Sequence, residues 1–259
     1  MTGTDPIAAK AALVTGAGQR IGRAIAAGLA AEGWAVALHY RSSAGEAESL
    51  AREIAAAGGR AVPVQADLAR EDEVQGLIAA AAEAVGPLAC LVNNAAEFGR
   101  DEVATATRES WDRHMETNLR APFVLSQRFA ASLPEGAEGN IVNLLDERVW
   151  NLTPHFVSYT VSKAGLWALT RTLALALAPR IRVNGVGPGP ALPSARQTEE
   201  QFARQAAATP LRRGTTPEEI FAAVRFILAA PAMTGQMIAL DGGQHLGWSF
   251  PKTEDEPRE

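Results

Sequence analysis

Three residue types that exchange protons occur close together in the second half of the chain. Tyr159 and Lys163 are four residues apart, and Asp146 lies thirteen residues before the tyrosine. Residues at positions i and i+4 share one face of a helix, so the Lys163 ammonium can lie near the Tyr159 phenol and favour its ionised form. The spacing predicts a phenol that exchanges protons near neutral pH, with Asp146 deciding which proton the pair handles.

A glycine-rich segment near the start of the chain is typical of a strand that turns sharply into a helix. Glycines at such a turn let backbone amides approach a pyrophosphate at the helix N-terminus. The position of the segment after one predicted strand and before one predicted helix favours a dinucleotide site over a merely tight turn. The predicted cofactor contacts in this turn are Gly16, Gln19, Arg20 and Ile21.

The second predicted strand ends without the carboxylate that would accept hydrogen bonds from the ribose diol of NAD. It is followed instead by Tyr40, Arg41, Ser42 and Ser43. An arginine and two hydroxyls suit a 2′-phosphate, so the sequence predicts NADP(H) as the cofactor. The alternative interpretation is a solvated Arg41 beside a helix N-cap at Ser43.

Short apolar runs alternate along the chain with longer Ala-rich stretches whose apolar residues recur at helical spacing. This alternation predicts an α/β fold: one Rossmann-like, doubly wound parallel sheet of about seven strands with helices on both faces, forming a single domain over residues 1–250. Residues 188–211 are predicted to be a flexible flap over the site, and residues 251–259 a frayed, charged tail. The predicted strands are 11–14, 35–40, 60–65, 88–92, 140–144, 181–186 and 236–240, and the predicted helices are 21–32, 45–57, 71–85, 110–131, 157–178 and 217–229, the last with Thr216 as N-cap and Pro217 at its first position.

Composition limits the partners and the compartment. The 259 residues carry a net charge of −5 and their basic residues are scattered, which argues against a nucleic-acid partner. The single cysteine, Cys90, lies in an apolar run and is interpreted as a buried thiol of a cytoplasmic protein. Without an export signal at the start or an apolar run of about 18 residues, no membrane association is expected. The four histidines lack the spacing of metal ligands, so no metal site is predicted.

Several motifs follow one another in the order typical of short-chain dehydrogenases/reductases, and the chain resembles that family over nearly its whole length. The resemblance implies an adenine contact for Asp67, a cofactor wall at Asn93, and a nicotinamide-ribose contact for Lys163. It also implies that Asn118 holds a water that relays protons to Lys163. The motifs are the glycine turn, Asp67-Leu68, Asn93-Asn94-Ala95-Ala96, Asn118, the Tyr159/Lys163 pair, Arg182-Val183-Asn184, Pro188-Gly189 and Asp241-Gly242-Gly243, of which Leu68, Ala95, Pro188 and Gly189 are further cofactor contacts.

Four departures from the general family pattern resemble the pteridine reductases, a group that includes bacterial dihydromonapterin reductases and alternative dihydrofolate reductases. Arg20 replaces the usual middle glycine, Asp146 replaces the usual catalytic serine, and the motif of the fourth strand ends in Ala96, soon followed by Phe98. The resemblance implies that the Phe98 ring stacks on a pterin or folate, with Arg20, Asp146 and Tyr159 as the other substrate contacts. Reduction of a C=N bond needs a hydride on carbon and a proton on the adjacent nitrogen, which suits an acid pair aimed at the ring.

Other interpretations remain open. Asp146 could cap the turn after a strand, Phe98 could be a core aromatic, and Arg20 could be an exposed first-turn arginine. As alternatives to a pterin reductase, the chain could be a carbonyl reductase of sugars or 3-oxoacyl thioesters, or a non-catalytic NADP-binding sensor. By analogy with the family, the predicted helices 110–131 and 157–178 would pair subunits in a homotetramer.

Overall fold

The fold is built on one sheet of seven parallel strands. The structure is a computed structural model that describes residues 10–194 and 196–247. The α/β class predicted from the alternation of apolar runs is confirmed. The strands are β1 (Ala11–Val14), β2 (Ala35–Tyr40), β3 (Arg60–Gln65), β4 (Cys90–Asn93), β5 (Gly139–Leu144), β6 (Ile181–Pro188) and β7 (Met237–Leu240).

Helices connect the strands and cover both faces of the sheet. The last of them begins as predicted, because the Thr216 hydroxyl accepts a hydrogen bond from the Glu219 N–H and Pro217 occupies its first turn. The described helices are α1 (Arg20–Ala31), α2 (Ala44–Ala56), α3 (Glu71–Val85), α4 (Arg108–Met115), α5 (Ala121–Ser132), α6 (Val157–Leu177), α7 (Glu199–Ala207) and α8 (Pro217–Ala229).

Two segments differ from the predicted pattern. The single helix predicted over residues 110–131 is instead α4, a π-helical turn at Glu116–Arg120, and α5. Pro122 has no N–H to donate to the carbonyl of Asn118, so the regular α-helical hydrogen bonding is interrupted at this point. The predicted flap over residues 188–211 contains the helix α7, which was not expected.

The order of the strands places a crevice at the carboxyl edge of the sheet. That order is β3-β2-β1-β4-β5-β6-β7, so β1 pairs with β2 on one side and with β4 on the other. The chain runs from β1 to β2 on one side and from β4 to β5 on the other, so a crevice opens between these two connections at the carboxyl edge of the sheet. Ligands of open parallel sheets bind in such a crevice, which is where the glycine turn and the loop after β4 meet.

Two apolar layers hold the helices on the sheet. On one face, Leu77 of α3 and Phe129 of α5 are buried against the sheet, and on the other Ile25 of α1 and Ile220 of α8 are buried. Successive strand residues point to opposite faces, which is why both faces of the central strands are apolar. Each fully buried side chain of this size contributes about 1.5–3 kcal/mol to folding. The layers give the loops at the carboxyl edge a rigid base.

Some predictions concern features away from the site. Cys90 is fully buried in β4, and burial raises the pKa of its thiol to about 12. No helix in the described part of the chain is long and apolar enough to cross a membrane. Among residues 10–194 and 196–247, no cluster of three or more His, Cys, Asp or Glu side chains could hold a metal ion. The predicted tail, residues 251–259, lies outside the described residues.

Candidate active site

The turn between β1 and α1 is too tight for side chains at two of its positions. Gly16 has a positive φ of 63°, and a Cβ added at Gly22 would lie 2.2 Å from the Gly16 carbonyl oxygen. The Thr15 hydroxyl accepts hydrogen bonds from the backbone N–H groups of Asn94 (2.9 Å) and Ala95 (3.0 Å). The turn is thus joined to the loop after β4, and its open backbone fits the predicted pyrophosphate site.

His39, the second-last residue of β2, connects the turn after β1 to the end of β3 through its two ring nitrogens. The Gly16 N–H donates to His39 Nδ1 at 3.0 Å, and His39 Nε2 lies 3.0 Å from the carbonyl oxygen of Ala66. Nδ1 must therefore accept, so the proton of the neutral ring is on Nε2. Burial lowers the pKa of His39 to about 4, despite the opposing effects of the Ala66 carbonyl and Asp67.

The predicted 2′-phosphate loop follows β2. Arg41 extends into solvent, and its Nη1 donates to Glu97 Oε1 at 2.6 Å. Ser43 occupies the N-cap position of α2 as the alternative interpretation proposed, but its hydroxyl makes no capping hydrogen bond. Arg41 and the Ser42 and Ser43 hydroxyls therefore lie at one surface, where they suit an anionic group.

Of the residues predicted to contact adenine or to form the cofactor wall, Asp67 is partly exposed, whereas Leu68 and Asn93 are buried. Asp67 follows β3, half-buried, with its Oδ1 accepting from the Ala69 N–H at 3.0 Å, whereas the Leu68 side chain packs in the core. Asn93 is buried and donates from Nδ2 to Asn143 Oδ1 at 2.8 Å. Its side chain therefore joins β4 to β5, and its predicted place in the cofactor wall stays a prediction.

Asp146 lies directly after β5 and accepts hydrogen bonds from two directions. Its Oδ1 accepts from the Arg148 backbone N–H at 2.9 Å, which caps the short 3₁₀ turn Glu147–Val149. Its Oδ2 accepts from the Tyr159 hydroxyl at 2.8 Å. Arg148 Nη1 also lies 3.3 Å from Oδ2. Asp146 therefore caps the turn after β5 and also accepts a hydrogen bond from the phenol, so the geometry agrees with both interpretations of this residue.

The electrostatics of the Tyr159/Lys163 pair differ from the expected lowering of the phenol pKa. Burial raises the pKa of Tyr159 well above its usual value, and the charge of Asp146 raises it further, with Arg148 opposing. Lys163 Nζ lies 5.8 Å from the Tyr159 ring centre and donates to the Leu144 carbonyl at 2.7 Å. Burial lowers the pKa of Lys163 to about 8, with Asp146 opposing. The phenol is therefore a firmly held proton donor to Asp146.

Asn118 lies in the π-helical turn, next to the loop after β4. Its Oδ1 accepts from the Glu97 N–H at 2.8 Å, and its Nδ2 donates to the Glu97 carbonyl and to Ser162 Oγ, both at 3.0 Å. The Asn118 side chain therefore holds the loop, and its amide is not directed to Lys163. Single π-helical turns are frequent at functional sites, which is consistent with the position of this one.

Phe98 projects into the crevice from the loop after β4 and is half-buried. Its ring stacks on Phe156 with centroids 4.7 Å apart and meets the Tyr159 ring edge-on at 4.8 Å. Arg196 lies 5.3 Å from the Phe98 ring centre and 6.0 Å from that of Phe156. Because the two distances are similar, this guanidinium flanks the stack and does not cover the far face of Phe98. The ring is neither a core side chain nor a solvated one.

Arg20 begins α1 with a positive φ of 54° and crosses to the predicted flap. Its guanidinium donates to the Pro193 carbonyl at 2.9 Å and to the Leu192 carbonyl at 3.3 Å. One cleft contains predicted site residues from both ends of the chain, namely Arg20, Ile21, Phe98, Asp146, Tyr159, Lys163, Pro188 and Gly189. The remaining predicted cofactor residues, Gly16, Gln19, Tyr40, Arg41, Ser42, Ser43, Asp67, Leu68, Asn93 and Ala95, do not line it.

Sequence reasoning missed several residues that line this cleft. Asn94, beside the predicted Asn93, donates from Nδ2 to the Thr15 carbonyl at 2.8 Å. Arg148, two residues after Asp146, could have been found from the Asp-x-Arg spacing. Phe202 of α7 and Gln244 also line the cleft, and no local pattern indicated either of them.

A comparison with protein families agrees with this geometry. The family model described as enoyl-(acyl carrier protein) reductase matches residues 16–245. The chain belongs to the short-chain dehydrogenase/reductase family. One relative in this family is a 3-oxoacyl-[acyl-carrier-protein] reductase of Synechocystis. It is 35% identical to this chain over 243 residues, which cover 92% of this chain and 97% of the relative.

Two solved structures are more similar in sequence to this short-chain reductase. The FolM alternative dihydrofolate reductase 1 of Brucella suis, in complex with NADP, is 49% identical with a TM-score of 0.90 over 93% of this chain and 96% of the other. The corresponding protein of Brucella canis, also complexed with NADP, is 46% identical with a TM-score of 0.90 over 95% and 98%. The resemblance to alternative dihydrofolate reductases inferred from the sequence is thus confirmed.

Proposed function

We propose that this protein is an NADPH-dependent reductase that transfers a hydride to the C=N bond of a dihydropterin. Dihydromonapterin, dihydrobiopterin and dihydrofolate are the substrates of this class that we consider. One observation carries the proposal: Asp146, in place of the usual serine, accepts a hydrogen bond from the Tyr159 hydroxyl at 2.8 Å, while the Phe98 ring centre lies 4.8 Å from that of Tyr159 in the same cleft.

The substrate suits this arrangement because a pterin is a flat heterocycle with donors and acceptors along its edge. An aromatic face such as that of Phe98 can stack on the ring, and the carboxylate of Asp146 and the guanidinium of Arg20 can meet its polar edge. The Brucella proteins that resemble this chain carry the name alternative dihydrofolate reductase, which supports the same class of substrate.

NADP(H) is the cofactor, as predicted from the loop after β2 and confirmed by the NADP complexes of similar proteins. When bound, it supplies the hydride. The Gly16 turn would hold the pyrophosphate, Arg41 with Ser42 and Ser43 the 2′-phosphate, and Lys163 the nicotinamide ribose. Asp67 and Ala95 would border the adenosine half, and Pro188 and Gly189 the nicotinamide half.

The chain's own groups manage the proton. Tyr159 is protonated because of its raised pKa, and it is held by Asp146 until the substrate nitrogen offers an alternative acceptor. As negative charge develops on that nitrogen, the proton passes to it from the Asp146–Tyr159 pair, which solvent then replenishes. Lys163 is placed beside the phenol to stabilise the phenolate that this transfer leaves. We assign Asn118 to ordering the loop that carries Phe98.

A carbonyl reductase is the second candidate, because curated relatives such as the Synechocystis protein are 3-oxoacyl-[acyl-carrier-protein] reductases. A ketone needs its proton on oxygen, for which a neutral hydroxyl beside the tyrosine is a better partner than a carboxylate. The charge of Asp146 next to Tyr159 therefore favours the dihydropterin.

The test is to mix the purified protein with NADPH and follow oxidation of the nicotinamide with 7,8-dihydrobiopterin, dihydrofolate and a panel of ketones and 3-oxoacyl thioesters. We expect turnover of at least one dihydropterin. Turnover of the ketone panel alone would overturn the assignment in favour of a carbonyl reductase, and NADPH binding without any turnover would support a sensor.

Substitution of the carboxylate tests its role directly. We expect Asp146→Ser and the isosteric Asp146→Asn to lower kcat for the dihydropterin by about 100-fold, because the remaining hydroxyl or amide can still accept a hydrogen bond from Tyr159 but cannot take up a proton and pass it on. The dissociation constant of NADPH should stay within about twofold, since the hydrogen bonds of the Asp146 carboxylate go to Arg148 and Tyr159 and not to the groups predicted to hold the pyrophosphate or the 2′-phosphate. Asp112→Asn, an exposed carboxylate on α4, is the matched control. An unchanged kcat in both Asp146 variants would refute the role.

Assembly and location are further parts of the proposal. We infer a homotetramer, supported by apolar side chains that α6 and α8 leave in solvent: Leu175 is 85% exposed and Phe226 59% exposed. Light scattering after gel filtration should give four times the mass of the chain. A cytoplasmic location remains a prediction from the single buried cysteine.

A further inference from the structure

Asp101, His114 and Ser158 form a buried polar network behind the cleft. All three side chains are at most 3% exposed. His114 Nδ1 lies 2.7 Å from Ser158 Oγ, and the Ser158 hydroxyl contacts Asp101 Oδ2. The Ser158 backbone N–H donates to Asp101 Oδ1 at 3.1 Å, and Ser110 Oγ lies 3.2 Å from Asp101 Oδ2. The network connects the loop after β4, α4 and α6.

The directions of these hydrogen bonds follow from one backbone group. The Gly99 N–H, which can only donate, points to His114 Nε2 at 2.9 Å. Nε2 must therefore accept, the ring proton lies on Nδ1 and goes to Ser158 Oγ, and the Ser158 proton goes to Asp101. This order is the reverse of the one that activates a serine nucleophile, in which the serine proton goes to the histidine. The network therefore serves position and not covalent catalysis.

The network lies between the two groups on which the site depends. Gly99 follows Phe98 in the chain, and Ser158 precedes Tyr159 at the start of α6. Each is held by a different nitrogen of the same imidazole ring. The Asp101 carbonyl also accepts from the N–H of Phe156 at 2.7 Å, and the Phe156 ring supports Phe98 from behind. His114 thus links the residue that follows Phe98 to the residue that precedes Tyr159.

We propose that His114 is a positioning residue that sets the separation between the Phe98 ring and the Tyr159 phenol, so that protonation of its imidazole releases the substrate loop. The inference deepens the proposed function and rests on it for the identity of the substrate. Protonated imidazole has no acceptor, so the Gly99 N–H would lose its partner and the loop would keep the contact of Ser110 with Asp101 as a side-chain attachment to α4.

The charged groups around His114 bear on when this release occurs. Asp101 and Glu97 on the loop side favour the protonated ring, Arg113 on α4 disfavours it, and the Tyr159 ring meets it edge-on at 6.0 Å. Burial is the largest effect, and it lowers the pKa of His114 below its usual value. Release is therefore expected only below the pH at which a free imidazole protonates, and not at neutral pH.

The experiment compares variants that remove or retain the acceptor for Gly99. His114→Phe keeps a ring of similar volume without either hydrogen bond, whereas Gln in His114→Gln can still accept from the Gly99 N–H. We expect His114→Phe to raise KM for the dihydropterin about tenfold while kcat and the dissociation constant of NADPH change less than about twofold. His114→Gln should recover most of the loss. Arg108→Gln, an exposed residue on α4, is the control.

The pH profile gives a readout that a merely structural role would not move. In the wild type, KM for the dihydropterin should rise as pH falls from 7.5 to 5, and in His114→Gln it should stay flat. Thermal unfolding and NADPH titration establish that each variant is folded. A KM unchanged in His114→Phe, or a parallel loss of NADPH affinity, would overturn the inference.

Failure of the proposed function looks different from failure of this inference. If the wild-type protein oxidises NADPH with ketones only, the pterin assignment falls, and the same variants are then measured with the ketone. If the wild type reduces a dihydropterin and the variants keep its KM, the substrate class stands and the role of His114 falls.

Discussion

Two buried histidines have similar bonding on opposite sides of the cleft. His39 accepts a hydrogen bond from the Gly16 N–H at 3.0 Å, and His114 accepts one from the Gly99 N–H at 2.9 Å. Burial lowers the pKa of both rings, which keeps each one neutral and able to accept. The first histidine lies under the turn for the cofactor, and the second lies under the loop that carries Phe98.

Their second nitrogens show how the two sides differ. His39 Nε2 contacts the carbonyl of Ala66, a backbone group at the end of β3, so the cofactor turn is attached to the sheet itself. His114 Nδ1 contacts the Ser158 side chain beside Tyr159. On the cofactor side His39 therefore joins the turn to a main-chain group, whereas on the substrate side His114 joins the loop to a side chain, that of Ser158. We expect changes at His39 to affect folding and NADPH binding, and changes at His114 to affect the substrate.

The largest effect is expected from His39→Ala, which removes the partner of the partly buried Gly16 N–H and of the buried Ala66 carbonyl and opens a cavity. We expect the free energy of unfolding to fall by about 4 kcal/mol and NADPH to bind about tenfold more weakly. Urea denaturation and NADPH fluorescence titration measure the two quantities. The half-buried His155 supplies the control His155→Ala, for which about 1 kcal/mol or less is expected. A loss at His39 as small as at His155 would contradict the comparison.

The next effect is the dependence of stability on pH. The folded protein keeps His39 neutral down to about pH 4, whereas the unfolded chain protonates it near 6.5. Between these values the unfolded state binds more protons, so stability is lost as the pH falls, by about 3 kcal/mol in total from this residue. Urea denaturation at several pH values should show the loss, and His39→Gln should show a shallower slope. Equal slopes would mean that the ring is not neutral when folded.

The smallest effect is expected at Glu97, which lies between the predicted 2′-phosphate loop and the loop that carries Phe98. Glu97 pairs its side chain with Arg41 at 2.6 Å and its backbone with Asn118, and Phe98 follows it. Removal of the carboxylate leaves Arg41 to the 2′-phosphate alone, so Glu97→Gln should bind NADPH about threefold more tightly at low salt and equally at high salt. Fluorescence titration measures this, with Glu109→Gln as the exposed control. Weaker binding in Glu97→Gln would mean that the carboxylate itself contacts the cofactor.

Much of the fold could be predicted because the signals are local. The apolar runs of β1, β2 and β3 have the predicted limits, and the cap of α8 was visible in Thr216 and Pro217. The helix α7 was missed because it is only nine residues long and mostly polar, with Phe202 as its one large apolar side chain. Its capping box of Thr198 with Gln201 was a signal that could have indicated it.

The sequence predicted which residues belong to the candidate site better than it predicted their pKa values. Asp146, Tyr159 and Phe98 were chosen from motif positions, and they do share one cleft. The expected low pKa of Tyr159 was wrong, because spacing to Lys163 carries no information about burial or about the 2.8 Å bond to Asp146. Asn93 and Asn94 are neighbours in one motif, and their side chains point to opposite faces where β4 ends. Only the position of that end in the fold decides which of the two enters the cleft.

The sequence by itself determined features that depend on neighbouring residues: the glycine turn, the alternation of strands and helices, and the i to i+4 placement of Tyr159 and Lys163. Only the tertiary structure decided which distant groups meet. Gly16 and His39 are 23 residues apart, and His114 and Ser158 are 44 apart, yet each pair lies within hydrogen-bond distance. The physical reason is that such bonds and the pKa shifts beside them depend on packing and on the exclusion of water, which no local spacing specifies.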